Sequence, residues 1–119
     1  MRLVNRVAFL ALPAGVLFSK YEPCVFDPLC IKGDTIHSLS DDTAIDWYEQ
    51  QIHDAIDCLG SADFADQLLV AQETGESVPM DFECEGRDGM FEDDEQLFAV
   101  WEADDIAALI ARLQRCVPA

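Results

Sequence analysis

The sequence predicts an α+β domain in which an antiparallel sheet of about four strands packs against helices. Short apolar runs bounded by Gly and Pro are typical of strands, and they alternate with longer stretches whose apolar residues recur at helical spacing. The strand-like runs form two likely hairpins, which favours antiparallel pairing. The chain has 119 residues, and 50% of them are hydrophobic, so we expect one domain, 1–119, with its own core. An all-α fold is the weaker alternative.

The N-terminal third is predicted to hold a short helix and two strands. The apolar run at 3–12 has Asn5 near its start, and Pro13 ends it. Two β-rich runs follow, and Pro23 separates them because proline interrupts a strand. The predicted strands are 16–21 and 25–31, and the predicted loop after them is 34–42.

The stretch 43–59 is predicted to be an amphipathic helix. Its apolar stripe, at spacings of three and four, is Ile45, Tyr48, Ile52, Ile56 and Leu59. A second stripe of similar spacing is almost purely acidic and consists of Asp46, Glu49, His53 and Asp57. Asp41 or Asp42 can cap the first turn, and Gly60 can end the helix. We therefore expect this helix to show an acidic face to its surroundings.

The C-terminal half is predicted to contain two helices on either side of a long hairpin. Ser61 is a suitable N-cap for the first helix, and Gly75 is a suitable residue to follow its end. The predicted elements are the helix 62–74, the strands 78–85 and 96–102, and a last helix that begins at Asp104 or Asp105. The predicted core stripe of the last helix is Ile106, Leu109, Ile110 and Leu113.

Acidic residues are concentrated in the middle of the chain. The segment 34–111 holds 22 acids and a single base, Arg87, whereas 1–33 and 112–119 each carry a net charge of +2, and the whole chain carries −17. Internal ion pairs can hardly neutralise such a segment, so its carboxylates must face water, a cation or a positively charged partner. Because self-repulsion destabilises a compact state, a charge of this size is the main functional clue.

The segment 80–85 is predicted to be a strand with one acidic face. Because strand side chains alternate between faces, its carboxylates would line up about 6.7 Å apart, comparable in kind with a row of backbone phosphates. The inward residues would be Met80, Phe82 and Cys84, and the outward residues would be Asp81, Glu83 and Glu85. The plainer interpretation is an ordinary amphipathic strand with a solvated face.

The predicted hairpin turn is a further acidic element, made of Glu92, Asp93, Asp94 and Glu95. Carboxylates are ligands that Ca²⁺ and Mg²⁺ prefer, but the spacing of an EF-hand loop is absent. A solvated turn that prevents edge pairing is the favoured interpretation. We predict neither a metal site nor a cofactor.

Aromatic residues supply candidate anchors for a partner. Trp47 lies off the predicted core stripe beside Asp46, and an exposed Trp among acids would suit a basic partner. Tyr48 lies on that stripe, so we expect it to be buried. Phe91 and Trp101 are further candidates.

Histidines and cysteines give no catalytic or metal signature. His37 and His53 lack the spacing of a zinc site, and nothing selects a Cys–His nucleophile pair or a carboxylate pair. We therefore predict that the protein is not an enzyme. The cysteines are Cys24, Cys30, Cys58, Cys84 and Cys116. We expect them to be reduced in a cytoplasmic protein, although a Cys24–Cys30 bridge stays open.

The N-terminal segment does not have the pattern of a secretory signal. Arg2 and Arg6 precede an apolar run, as in a short signal, but the run is only six residues long before Pro13, and no small-residue cleavage site follows. No run approaches the roughly 20 apolar residues of a membrane span. Direct nucleic-acid binding is disfavoured because the net charge repels phosphate. We expect a cytoplasmic protein with neither a membrane nor a nucleic acid as its direct partner.

The chain resembles the small, strongly acidic inhibitors made by phages and other mobile elements, the DNA-mimic and anti-CRISPR type. The resemblance lies in size, charge and fold style, and in the opening run 9–18, which is similar to that of small phage proteins. It implies that the protein occupies a basic DNA- or RNA-binding surface of a host defence complex. No catalytic residue can be assigned from this resemblance, since such inhibitors act by occupying a surface.

The leading hypothesis is therefore a non-enzymatic inhibitor that binds a positively charged protein surface. The alternative is an acidic adaptor or structural protein of a phage or bacterium, whose charge serves solubility and whose functional patch is apolar. The predicted partner-binding residues are Asp46, Trp47, Glu49, Asp57, Asp81, Glu83, Glu85, Glu92, Asp93, Asp94 and Glu95.

Overall fold

The α+β class and the antiparallel sheet are confirmed. A computed structural model describes residues 1–53, 56–89 and 94–119. The strands are β1 (Arg2–Asn5), β2 (Leu17–Glu22), β3 (Val25–Phe26), β4 (Cys30–His37), β5 (Ala44–Gln51), β6 (Gly86–Arg87) and β7 (Leu97–Val100). The helices are α1 (Arg6–Leu10), α2 (Ser61–Thr74) and α3 (Ala103–Gln114). The described residues thus form a sheet of seven strands, more than the sequence predicted.

The strands follow the order β1-β7-β2-β4-β5-β6, and β3 pairs with β2 beside this path. Every pairing between these strands is antiparallel. Because residues paired across an antiparallel sheet share a face, the register defines two faces. We call the inner face the one that carries Phe18, Cys30 and Trp47, and the outer face the one that carries Asp46 and Tyr48.

The inner face carries an aromatic core that α1 covers. Asn5 Oδ1 accepts a hydrogen bond from the Ala8 amide at 2.9 Å and so caps this short helix. The ring of Phe9 then stacks on Phe98 with 4.0 Å between centroids and meets Trp47 edge-on at 5.0 Å. The predicted helix 3–12 is thus shorter than expected, because Arg2–Asn5 pairs with β7 instead.

Lys32 is a fully buried cation beside this core. Its Nζ donates to Leu12 O at 2.9 Å and to Thr35 Oγ1 at 2.6 Å, and it lies 5.8 Å from the Phe9 ring centroid. Burial lowers the pKa of Lys32. The lysine therefore ties the loop after α1 to β4 and is not part of the displayed charge.

The predicted helix at 43–59 is wrong, because Ala44–Gln51 forms a strand beside β4. Ile45, Trp47 and Tyr48 are β-branched or aromatic residues that fit a pleated surface, and pairing with β4 outweighs their helical spacing. A tight connection joins the two strands, with the Ser38 amide donating to Thr43 O at 2.8 Å. The predicted loop 34–42 is therefore too long, since β4 continues to His37.

The predicted strand 78–85 is also wrong. Only an isolated bridge between Ile56 and Met80 and the two-residue strand β6 are found in this part of the described chain. Pro79 has no amide hydrogen to donate to a ladder. Asp81 Oδ1 accepts from the Glu83 amide at 2.8 Å, which is a local bond that competes with strand pairing.

The two longer helices are confirmed close to their predicted bounds, but neither has a fully buried side chain. Gly75 follows α2 at φ +73, as predicted, whereas Gly60 and not Ser61 occupies the N-cap. Glu102 caps α3 in a capping box with Asp105. The radius of gyration is 16.7 Å, above the about 13.5 Å of a compact chain of this length. No helix in the described ranges is both long and apolar enough to cross a membrane.

Candidate functional site

On the outer face, where β4, β5 and β6 lie side by side, Tyr48 is partly exposed. Gly33 of β4 makes room there for two side chains from neighbouring segments. A Cβ atom on Gly33 would lie 2.7 Å from Glu85 Oε2 and 3.0 Å from Tyr48 Cβ. The absence of a side chain at Gly33 thus lets the Glu85 carboxylate and Tyr48 come close together.

The segment 80–85 leads into β6 and adds further acids to this region. Its apolar side chains point to solvent, since Phe82 is 67% exposed and Met80 39% exposed. Cys84 is exposed as well. The prediction that these three residues enter the core is therefore wrong, because the turn at Asp81 removes the strand alternation on which it depended.

Asp57 joins the same region through the backbone. Its amide donates to Pro79 O at 3.0 Å, next to the bridge between Ile56 and Met80. We call the combined region the outer acidic surface and define it by Asp57, Asp81, Glu83 and Glu85 with Tyr48, Met80 and Phe82. It collects four of the predicted partner-binding residues, although not as a row of regular spacing.

Asp46 is excluded from this surface, and its predicted exposure is wrong. The side chain is 0% exposed. Its Oδ2 accepts from Arg87 Nε at 2.6 Å and from the Gly89 amide at 3.2 Å, while Oδ1 accepts from the Trp47 amide at 2.8 Å. Asp46 therefore holds β6 and the following residues against β5. It also engages Arg87, the one base of the acidic segment.

Trp47 is also buried, at 0% exposure, and its proposed role as an exposed anchor is wrong. In a strand, neighbouring residues point to opposite faces. The change from predicted helix to strand therefore exchanges the two aromatic residues, so that Trp47 enters the core and Tyr48, 39% exposed, faces out. Sequence reasoning missed Tyr48 and Phe82 as surface aromatics. The only sequence signal for Tyr48 was the cluster of β-branched and aromatic residues at 45–48, which suits a strand but also fits the helical stripe.

Glu49 lies on the inner face and is half-buried. Burial is the main cause that raises its pKa, and the Asp88 charge acts in the same direction while Lys20 opposes it. Its neighbours on the inner face are therefore different from those of Tyr48, although Glu49 and Cys84 line one cavity at the β5–β6 edge. Asp94 and Glu95 are exposed before β7. Glu92, Asp93 and Phe91 lie outside the described residues.

Metal and thiol chemistry find little support in the described part of the chain. No group of three or more His, Cys, Asp and Glu side chains there could hold a metal ion. All five cysteines are free, so Cys24 and Cys30 are not bridged. Burial raises the pKa of the Cys30 thiol to about 12, which leaves it protonated and a poor nucleophile.

Comparison with known proteins adds no relative: no family model, curated protein or solved structure matches this chain.

Proposed function

We propose that this protein is a non-enzymatic inhibitor that binds the basic, nucleic-acid-binding surface of a host defence protein, as anti-CRISPR and DNA-mimic proteins do. The observation that carries the proposal is the outer acidic surface, where the Glu85 carboxylate lies close to the exposed Tyr48 and where Phe82 is exposed between Asp81 and Glu83 in the sequence. Arg87, the one base of the segment 34–111, is already paired with Asp46. The carboxylates therefore remain available to a positively charged partner.

The charge and the rings would serve different purposes in binding. The field of a −17 chain attracts a basic surface over a long range and speeds encounter. Aromatic residues supply the short-range contacts, since interface hot spots are enriched in them and in the arginines of a partner. Because Asp81, Glu83 and Glu85 do not form an even row, the proposal relies on the summed field and not on a match to individual phosphates.

The experiment is affinity capture from a bacterial lysate, with elution in a salt gradient and identification of the captured proteins. The test variant carries Asp81→Lys, Glu83→Lys and Glu85→Lys. The matched control carries Asp66→Lys, Glu73→Lys and Glu76→Lys, which change the net charge equally at acids on and just after α2. Circular dichroism confirms that both variants are folded.

We expect the wild type and the control to retain a basic nucleic-acid-binding protein that salt elutes and that added DNA or RNA displaces. The test variant should lose it. Equal capture by all three proteins, or capture that salt does not weaken, would exclude the outer acidic surface as the binding site.

An adaptor is the second candidate, and α3 is the observation that favours it. Ile110, Leu113 and Val117 are 59%, 53% and 60% exposed on or just beyond that helix. Exposed acids also occur on other elements, for example Asp66 on α2. An adaptor would lose its partner on Ile110→Asp with Leu113→Asp and keep it in the lysine variant, which is the opposite of the result expected above.

A further inference from the structure

A groove lies between α3 and the segment that leads into β4. Its volume is about 380 Å³, which falls within the roughly 300–1,000 Å³ of small-molecule sites. The apolar side chains that line it are Leu29, Trp101, Ala108 and Leu109, and the charged ones are Asp105 and Arg112. A mostly apolar wall with a few polar groups is the usual composition of a ligand site.

Trp101 is the aromatic part of the wall, and further rings continue from it. The Phe26 ring lies 6.0 Å from the Trp101 ring, and the Tyr21 ring lies 5.1 Å from that of Phe26, measured between centroids. Phe26 is 50% exposed despite these contacts. A ligand ring packed on Trp101 would therefore extend a row of three rings, an arrangement that aromatic groups favour.

Arg112 supplies the charge in the groove that is available to a ligand. In the described ranges 1–53, 56–89 and 94–119, its side chain has no hydrogen bond or ion pair. Asp105, in contrast, is engaged, because it accepts from the Glu102 amide at 3.0 Å and pairs with the ammonium group of Met1. The charge left without a partner in the groove is therefore positive.

The chain around Arg112 is locally basic, although the whole protein carries −17. No acid follows Asp105 in the sequence, and the segment 112–119 carries +2. Arg112 lines the groove together with Ala108, one turn before it, because helix side chains lean toward the N-terminus. The guanidinium group can thus meet a ligand inside the groove, and its planar fork matches a carboxylate.

We infer that the groove binds a small carboxylate with an apolar body that carries a ring. The carboxylate would pair with the guanidinium group of Arg112, and the ring would pack against Trp101 and Leu109. A cationic ligand suits the groove less well, because it would meet the unpaired charge of Arg112.

The inference goes beyond the proposed function and does not depend on it. Among the described residues, neither the acids of the outer acidic surface nor Ile110 and Leu113 of the adaptor test line the groove. The probe is phenylpropanoate, and its neutral counterpart is phenylpropanol. Binding is followed by the indole N–H signal of Trp101 in two-dimensional NMR. The signal of Trp47, which is buried in the core, serves as the internal reference.

We expect phenylpropanoate to shift the Trp101 signal saturably while the Trp47 signal stays in place. Phenylpropanol should bind about tenfold more weakly or worse, because it lacks the charged hydrogen bonds. Arg112→Gln should weaken phenylpropanoate binding by a similar factor and leave phenylpropanol binding unchanged. The matched control, Arg115→Gln, removes an equal charge outside the groove and should leave both affinities unchanged.

A second variant tests the groove without a change of charge. Ala108→Leu adds a branched side chain to the wall, so it should weaken the binding of phenylpropanoate and phenylpropanol alike. Unchanged affinity for both compounds in this variant would place the binding site elsewhere.

Three further results would overturn the inference: no saturable shift of the Trp101 signal, equal affinity for the acid and the alcohol, or a loss on Arg112→Gln no larger than that on Arg115→Gln. None of these results bears on the outer acidic surface. Conversely, loss of a captured partner in the Asp81, Glu83 and Glu85 variant would leave phenylpropanoate binding intact, so the two proposals fail separately.

Discussion

The two faces of strand β5 contrast sharply, although their residues alternate along one strand. On the inner face, Trp47 is sealed among the rings of Phe9, Phe18 and Phe98. On the outer face, Tyr48 is exposed next to the Glu85 carboxylate. The difference teaches that an aromatic residue beside an acid is not by itself a binding anchor, since the face that it points to decides its role.

The carboxylates of the two faces differ in the same way. Asp46 on the outer face is fully buried and accepts hydrogen bonds from three donors. Glu49 on the inner face is half-buried, next to Asp88 with its unpaired oxygen. Asp46 is therefore a structural group with a full set of donors, whereas burial and the nearby Asp88 charge raise the pKa of Glu49.

The largest expected effect is on stability, and it should differ between Trp47 and Tyr48. Trp47→Ala should destabilise the protein by about 3–5 kcal/mol, because it removes the ring around which the core is packed. Tyr48→Ala should cost less than about 1 kcal/mol, since the side chain is partly solvated. Urea unfolding followed by circular dichroism measures both. If Tyr48→Ala proved as costly as Trp47→Ala, the assignment of the two faces would be wrong.

A smaller difference in the free energy of unfolding is expected between variants at the two members of the Asp46–Arg87 pair. Arg87→Gln should cost about 3 kcal/mol or more, because it leaves a fully buried carboxylate without its cation. Asp46→Asn should cost about 1–3 kcal/mol, since the Arg87 side chain is 49% exposed and water can solvate it. The comparison requires the free energy of unfolding of both variants at one pH. The opposite order would mean that the pair is more exposed than its geometry indicates.

The comparison of the two faces also shows which parts of the structure could be predicted from the sequence. The α+β class, β2, β7, α2 and α3 were predictable, because the local periodicity, and for β2 and α2 the flanking Gly residues, agreed with the final structure. Strand β5 was not predictable, since Ile45, Tyr48 and Ile52 fit a helical stripe as well as a strand, and only pairing with β4 decides between them. The acids at 81–85 were recognised as a candidate site, but their arrangement depends on a local turn and on space at Gly33, which is a tertiary feature.

Gly33→Ala tests the close approach that forms the outer acidic surface. The added methyl group would meet Glu85 Oε2 at 2.7 Å, Tyr48 Cβ at 3.0 Å and Tyr48 O at 3.1 Å. The Glu85 side chain can move away, but the Tyr48 backbone cannot do so without disturbing β5, so we expect a cost of about 1–3 kcal/mol. The double variant with Glu85→Ala should recover only part of this loss in urea unfolding. Full recovery would show that the glycine accommodates the carboxylate alone.

The smallest expected effect is a pH dependence confined to the inner face. Burial raises the pKa of Glu49 in the folded protein above its ordinary value. The folded state therefore binds this proton more tightly than the unfolded state. The associated stability is fully present below the ordinary pKa and is lost as the pH rises through the raised one.

Glu49→Gln avoids this loss of stability, so the variant should be more stable than the wild type at neutral pH. This advantage should shrink as the pH falls through the same window. Urea unfolding over a pH series measures the difference, with Glu73→Gln as the matched exposed control. A Glu49→Gln variant that is less stable than the wild type at neutral pH, or whose difference does not change with pH, would mean that the Glu49 carboxylate is solvated, like that of the exposed Glu73.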